Sequence, residues 1–578
     1  MTPPQATPHS DARQGPSRWQ RKDTAQAFAD FSDPFDAPFS QRQYAQQHAI
    51  PRSTLGDWLR RDAPDGIDAD LADFLRQPCG EAFLRRVVLA LFLVFHFRSL
   101  SGLRALGSFL ELTGLDHFVA PSYGALHELA LRLEKDLVAF DRQERSRLAG
   151  GMTPRSIALC LDENFHRVQP YLVAIEPSSN FVVLEDHAPA RDAVTWLDTL
   201  QRALAGLPVE VLLLCSDQAK ALLALARDGL EVPHSPDLMH VQRLIQQPLL
   251  LPLSRQSASA SKDLQQAQQK LLDCQQRRQD YLQRPGPGRP PDFKSRIGAA
   301  TRAVQEAQAD LRRSQQRQQE VSTRIRALAD LAHPFEATSG QPLEAEEVRK
   351  RLAEPLGRLD EIVTEAGLAQ PAEYGVCHGH DWAVVLAALV GWFWALARQR
   401  VEALGLGEEG ERAVYEQLLP GLYWQQQARR GRDAEQKRQR RELSERLLGV
   451  AWQPGGALSG LAEEPKAQVL RQAQELAGLF VRSSSCVEGR NGRLSLFQHS
   501  HVRLGPGRLQ AQTAVHNYLV KRADGTTAAE RFFGQKQRDL FGWLLERLPD
   551  LPRPAAKRPN RAAKQPLPAG GSRPDRRS

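Results

Sequence analysis

The feature that most constrains this chain is a pair of heptad series separated by a run that no helix can cross. Leu264, Ala267, Leu271, Cys274, Arg278 and Tyr281 follow alternating steps of three and four, and then Pro285-Gly286-Pro287-Gly288-Arg289-Pro290-Pro291 stops any helix. Beyond it Ile297, Val304, Leu311, Gln318 and Ile325 repeat every seven residues, as do Ala300, Ala307, Ser314, Val321 and Leu328. This spacing predicts an antiparallel coiled-coil hairpin over 258–330 with its tip near residue 288.

The remaining sequence bounds what surrounds the hairpin. A length of 578 residues suggests several folded units, and 41% hydrophobic with 25% charged residues excludes a wholly disordered or fibrous chain. Cys79, Cys160, Cys215, Cys274, Cys377 and Cys486 form no C-x-x-C pair, which argues against a disulfide framework or a cysteine-rich zinc module and favours a reducing cytoplasm. Residues 1–38 are polar and Pro-rich, without the apolar segment of a secretory signal, and read as a disordered leader. The apolar runs Val87–Phe97 and Trp382–Ala397 are shorter than the roughly 18 to 20 residues that span a bilayer, so both read as buried helices. The net charge of +8 is concentrated in the tail, 552–578, which holds eight Lys or Arg and one Asp. That tail reads as disordered and able to hold DNA through its phosphates, whereas the body is nearly neutral.

Along the chain, Ser40 to Arg61 reads as two short helices broken at Pro51, a helix-turn-helix over 39–62. In such a module Arg52, Ser53, Thr54 and Asp57 on the second helix face bases or phosphates, and Arg60 and Arg61 touch the backbone. Residues 63–150 read as helical throughout. Four short apolar runs follow, Ser156–Leu161, Tyr171–Ile175, Phe181–Leu184 and Val209–Cys215, with a helix near 191–205 before the last. Strand, strand, strand, helix, strand, helix is the order in which a ribonuclease H-like sheet begins.

Asp162 and Asp217 each directly follow a strand, so their carboxylates can meet over one sheet edge, as two bridged divalent cations require. The plainer reading is that each caps the turn or helix after it. Glu163 adjoins Asp162, but successive strand residues face opposite ways, so only one of the two reaches such a site. The stretch Arg429–Arg441 has seven basic and two acidic residues and is a candidate phosphate-contacting face.

Asp162, then Asp217-Gln218-Ala219-Lys220, then Asp237-x-x-His240, then Glu488-Gly-x-Asn491-Gly together resemble the catalytic core of bacterial insertion-sequence DDE transposases. The Asp-x-x-His element is similar to one in the Mutator and hAT-like superfamilies. His516-Asn517-Tyr518 and the run Arg522 to Gly534 resemble the end of an uncharacterised transposase-like family. The resemblance implies an α/β plus α fold: a ribonuclease H-like mixed sheet in two parts, 151–250 and 481–551, interrupted by an α-helical insertion over 251–480. It implies that Asp162, Asp217 and Glu488 hold two Mg²⁺ ions, with Mn²⁺ able to substitute, and that Glu530 is a rival for the third position. Asn491 would orient a bound water or phosphate; for His240 the readings are contact with the scissile phosphate or with a water beyond the metal ligands, or a hydrogen-bonded core histidine, and its role stays open. The expected activity is hydrolysis and strand transfer at transposon ends on double-stranded DNA, by a homodimer or larger assembly associated with the nucleoid in the bacterial cytoplasm. No membrane is expected, the apolar runs being too short to span one, and no nucleotide cofactor, since no G-x-x-x-x-G-K-[ST] loop occurs. The alternative is a non-catalytic DNA-binding regulator derived from such an enzyme.

Overall fold

The computed structural model describes residues 19–31, 40–60, 66–99, 101–166, 169–499 and 504–554. Most of the leader, Arg61 and nearly all of the tail lie outside the described residues. The chain divides into two compact units, one of residues 1–141 with 538–578 and one of residues 142–537.

In the first unit, α1 (Arg21–Asp30), α2 (Gln41–Gln47) and α3 (Arg52–Trp58) enclose a small core of Ala27, Tyr44, Ala45, Ile50 and Leu55, with Trp19, Phe31, Trp58 and Leu59 around it. Ser40 caps α2 as its sequence suggests: its hydroxyl accepts from Gln43 N at 3.3 Å while the Gln43 side chain returns to Ser40 N at 3.1 Å. The turn into α3 puts Ala49 at φ +52°. The leader expected to be disordered therefore contains a helix, α1, that buries Ala25, Ala27 and Phe28. Four apolar residues in ten, three of them alanines, are too few to register as a period, and their partners lie well downstream. Arg21 is held by the buried carboxylate of Glu81 at 3.0 Å.

Helices α4 (Ala69–Arg76), α5 (Pro78–Leu91), α6 (Leu103–Leu112) and the first part of α7 (Tyr123–Gly150) complete this unit. A π-helical turn, Phe92–Phe97, extends α5, and most of the apolar run Val87–Phe97 is buried as expected. A late helix, Leu540–Arg547, returns to the unit. Arg85 donates to Pro549 O at 3.2 Å, and Ala120 N to Pro552 O at 2.8 Å. Residues from 538 onward thus belong here, and the second part of the sheet-bearing unit is shorter than the 481–551 read from sequence.

The second unit is α/β with a large helical part. Its sheet comprises β1 (Arg155–His166), β2 (Gln169–Glu176), β3 (Phe181–His187), β4 (Val209–Ser216) and β5 (His234–Pro236), with α8 (Ala193–Leu204) before β4 and α9 (Lys220–Ala224) after it. The order is β3-β2-β1-β4-β5; β2 runs antiparallel to its neighbours β1 and β3, β4 pairs parallel to β1, and β5 parallel to β4. The register pairs Asp162 with Val173 and Val173 with Glu185, so all three share one face.

The insertion begins with α10 (Leu238–Gln283) and α11 (Phe293–Leu331), which pack side by side as the expected hairpin. The rings of Tyr281 and Phe293 meet across the tip at 5.5 Å, and Gly288 adopts φ +101° there. The first helix starts twenty residues earlier than the heptads indicated, at 238 against 258, because Pro248 and Pro252 lie inside it. Pro248 leaves the carbonyl of Leu244 without its helical donor. Gly375 approaches that carbonyl so closely that a Cβ there would stand 2.8 Å from it.

Helices α12 (Ala345–Glu365), α13 (Gln370–Glu402), α14 (Gly407–Ala413), α15 (Leu419–Ala428), α16 (Ala434–Ala451) and α17 (Glu463–Leu479) follow, and then α18 (Ser485–His499), α19 (Pro506–Tyr518) and α20 (Ala528–Phe533). One apolar core runs from Cys160 and Cys215 of the sheet through Ile245, Ile325, Leu356 and Phe393 to Val487. α13 alone among the described helices is long and apolar enough to cross a membrane, yet its Trp382, Leu386, Val390, Phe393 and Ala397 are part of this core.

Candidate active site

Asp162 sits on β1 with one carboxylate oxygen accepting from Glu163 N at 2.8 Å and the other from the Asn491 side-chain amide at 2.7 Å. Burial, with the negative charges of Glu488 and Asp217 added, pushes its carboxyl up to about 7, although the two hydrogen bonds pull the other way. Asp217, at the end of β4, and Glu488, on α18, are thus each within electrostatic reach of Asp162 on β1. Glu163 points away, as strand alternation requires, and pairs with Arg191.

Three anchors hold α18 over the sheet. Asp237, 2% exposed, caps α10 by accepting from Met239 N and His240 N at 3.3 Å each, and also accepts from Ser484 N at 3.0 Å, just before α18 begins. Arg490 donates its Nε to Glu185 on β3 at 2.6 Å, within a fully buried ion pair. Asn491 supplies the third through Asp162. The Asp-x-x-His element therefore has a structural first residue. His240 is half-buried on the first turn of α10, and its ring makes no hydrogen bond among the described residues.

Asp217 accepts from Ala219 N at 3.1 Å, the capping role its position suggested. Sequence reasoning missed its neighbour His234, which meets Ser216 Oγ at 2.8 Å and is pushed down to about 4 by burial, against the pull of Asp217. It also missed that a cysteine stands two residues before each acid: Cys160, Cys215 and Cys486. Cys160 and Cys215 are register partners. The Cys160 thiol is pushed well up by its hydrogen bond to Cys215 and by burial, which keeps it an inert filler beneath the carboxylates.

The rival Glu530 is engaged elsewhere. It closes a capping box at the start of α20, its carboxylate accepting from Thr527 N at 2.9 Å while its own N–H donates to Thr527 Oγ1 at 3.2 Å. The C-terminal motif is architectural too. Asn517 accepts from Val182 N and donates to Val182 O, both at 3.0 Å, covering the β3 edge as another strand would. Arg531 binds Ser179 O at 2.8 Å in the turn before β3.

The donor set suits a hard divalent cation: all its ligands are oxygens, one carboxyl is starved of positive charge, and the buried Oδ1 of Asn491 has no hydrogen-bond partner among the described residues. The fit is one of chemistry. Among the described residues no three His, Cys, Asp or Glu side chains converge closely enough to hold one ion. Of the positions expected from the sequence to contact DNA, Arg52, Ser53, Asp57 and Arg60 are exposed and Thr54 is half-buried, with Arg60 paired to Asp57 at 2.8 Å. Arg61 lies outside the described residues. The basic stretch Arg429–Arg441 is not a continuous open face: Arg440 is buried, and Arg438 pairs with Glu435 and Glu442.

Residues 414–560 match a family of unknown function, DUF6399. That span contains Glu488, Asn491 and the motif covering the sheet edge, but neither aspartate. No curated protein matches the chain at a significant level.

Proposed function

We propose that the chain is a metal-dependent DNA transposase of the DDE type. The observation that carries this reading is that Glu488 and Asp217, from distant segments, both act on the half-buried carboxyl of Asp162, which Asn491 holds at 2.7 Å. The strand order β3-β2-β1-β4-β5, with three antiparallel strands followed by two parallel ones, supports a ribonuclease H-like core. The packing of α2 and α3 on α1, with polar residues of α3 exposed, supports a helix-turn-helix that binds transposon ends.

In this reading Asp162, Asp217 and Glu488 hold Mg²⁺ or Mn²⁺, which would activate the attacking oxygen and stabilise the leaving one during hydrolysis and strand transfer. Asn491 fixes the Asp162 carboxylate, and its free Oδ1 is available to a water or a further ligand. His240, whose ring is unengaged, is available to a substrate phosphate.

The test uses a plasmid bearing the DNA that flanks the coding sequence. Asp162→Asn or Asp217→Asn should lower Mg²⁺-dependent strand cleavage by about a thousandfold or more while leaving binding to the ends unchanged. Cleavage at the wild-type rate by either variant removes the mechanism. A second reading, a non-catalytic DNA-binding regulator, draws on the carboxylates not converging on one ion position. It predicts that the wild-type protein binds DNA and never nicks it with Mg²⁺.

A further inference from the structure

Beside the start of α18 lies a cavity of about 260 Å³ lined by Arg326, Arg430, Arg432, Arg440 and Arg482 against a single carboxylate, Asp330. Five guanidinium groups facing one acid leave an excess of four positive charges. Asp330 is already occupied, accepting from the Gln436 side chain at 2.7 Å and standing 3.6 Å from Arg440.

Two of the arginines use only part of their donor capacity. Arg430 donates to Pro177 O at 2.7 Å and Arg440 to Gln427 O at 3.3 Å, single bonds from groups that each carry five N–H donors. Arg326 makes no ion pair among the described residues. The guanidinium of Arg432 meets, among the described residues, only Asp433, at 3.5 Å on the exposed side. The decisive side chain is Arg482. Its Nη2 meets His333 Nε2 at 2.8 Å, and since a guanidinium only donates, that nitrogen of His333 accepts. The proton therefore sits on Nδ1, 2.6 Å from Tyr423 Oη, and Arg482 is held by a fixed neutral relay. Its Nε is buried with no hydrogen-bond partner among the described residues. Burial, and then the neighbouring charge of Arg440, make the protonated form of Arg482 harder to maintain, a cost that a bound anion would relieve.

We propose that this cavity is a binding site for a phosphoryl group. A tetrahedral oxyanion matches forked guanidinium donors, and the orphaned Nε and the charge excess are what an anion would satisfy. Ser485, the first residue of α18, lines the cavity, and Glu488 follows one turn later, so the group would sit next to the candidate active site. Under the function proposed above, whose reading this refinement rests on only for its source, the group is a backbone phosphate of the DNA strand near the one being cut. The same chemistry would take free inorganic phosphate.

The experiment uses the full chain, the double variant Arg326→Ala/Arg432→Ala, both of whose sites are exposed, Arg482→Gln, and Asp162→Asn as a catalytically silenced control. Inorganic phosphate binding is read by calorimetry, and duplex DNA binding by fluorescence anisotropy at fixed ionic strength. Wild type and Asp162→Asn should bind phosphate alike, while the double variant should bind about tenfold more weakly with an unchanged melting temperature. A parallel loss of about tenfold in DNA affinity identifies the strand as the source. Unchanged DNA affinity with lost phosphate binding supports the site with free phosphate as its ligand. Equal phosphate binding by wild type, the double variant and Arg482→Gln overturns the proposal, as does a wild-type protein that binds no phosphate. Because Asp162→Asn is expected to retain phosphate binding, failure of the catalytic reading and failure of this one give different results.

Discussion

Glu185 and Asp162 stand on the same face of the sheet, two strands apart in one register row, beneath consecutive residues of α18. Glu185 meets the guanidinium of Arg490 and also accepts from Thr513, so a cation and a hydroxyl both serve its buried carboxylate. Asp162 receives only an amide from Asn491 and a backbone N–H, and it faces two more acids. One end of the row is electrostatically closed and the other is open. A fold that needed carboxylates only for attachment would close both, so the open end is the one left for something brought from outside.

Changes to either end sharpen this contrast. Arg490→Met should cost about 3–5 kcal/mol by leaving the buried Glu185 carboxylate without its cation, whereas Arg490→Met combined with Glu185→Met should recover most of that loss in urea unfolding. At the open end the sign is reversed. The folded-state value of Asp162 is about 7 against an ordinary 3.8, so the folded state holds a proton that the unfolded chain lacks between those limits. Stability from this group is therefore full at low pH, declines as pH rises through that window and is gone above about 7. At pH 8 Asp162→Asn should be more stable than wild type by up to about 4 kcal/mol, and Mg²⁺ should stabilise wild type and not the variant. If thermal melts at pH 8 rank the two the other way, the site is closed and the contrast is false.

Smaller effects follow. Asn491→Ala should slow cleavage about tenfold and shift its pH optimum upward, because the lost hydrogen bond is one of those holding the Asp162 carboxyl down. Glu530→Ala should cost about 1 kcal/mol through the lost capping box and leave the cleavage rate unchanged.

The sequence made the local part of this arrangement readable. The strand ending just before Asp217 was legible because strand and acid are neighbours in the chain, and the hairpin was legible because heptads repeat; the strand expected to stop before Asp162 instead runs on to His166, since the polar residues after Leu161 still pair with β2. What escaped was set by distant contacts. The Arg490–Glu185 pair joins residues 305 positions apart, and nothing near either one signals it. Asn491 was read as a helical neighbour of Glu488 acting on water or phosphate, whereas its amide goes to Asp162 across the sheet. The start of α10 was hidden by Pro248 and Pro252, whose local rule is overridden by packing against α13. The first aspartate of Asp-x-x-His was grouped with chemistry, yet it works as a cap and tether, since one carboxylate can serve both N–H groups of α10 and that of Ser484.

That tether gives α10 a mechanical property. The helix is continuous for 46 residues, roughly 70 Å at 1.5 Å per residue, and its near end is the aspartate that grips the residue in front of α18. Its first turns are packed in the core through Val241, Ile245, Leu249 and Leu253, and the rest is an arm with its base beside the acids. A load on the far tip of the arm, such as a second protein copy or a length of duplex, would be delivered to the seat of Glu488 rather than dissipated in a loop.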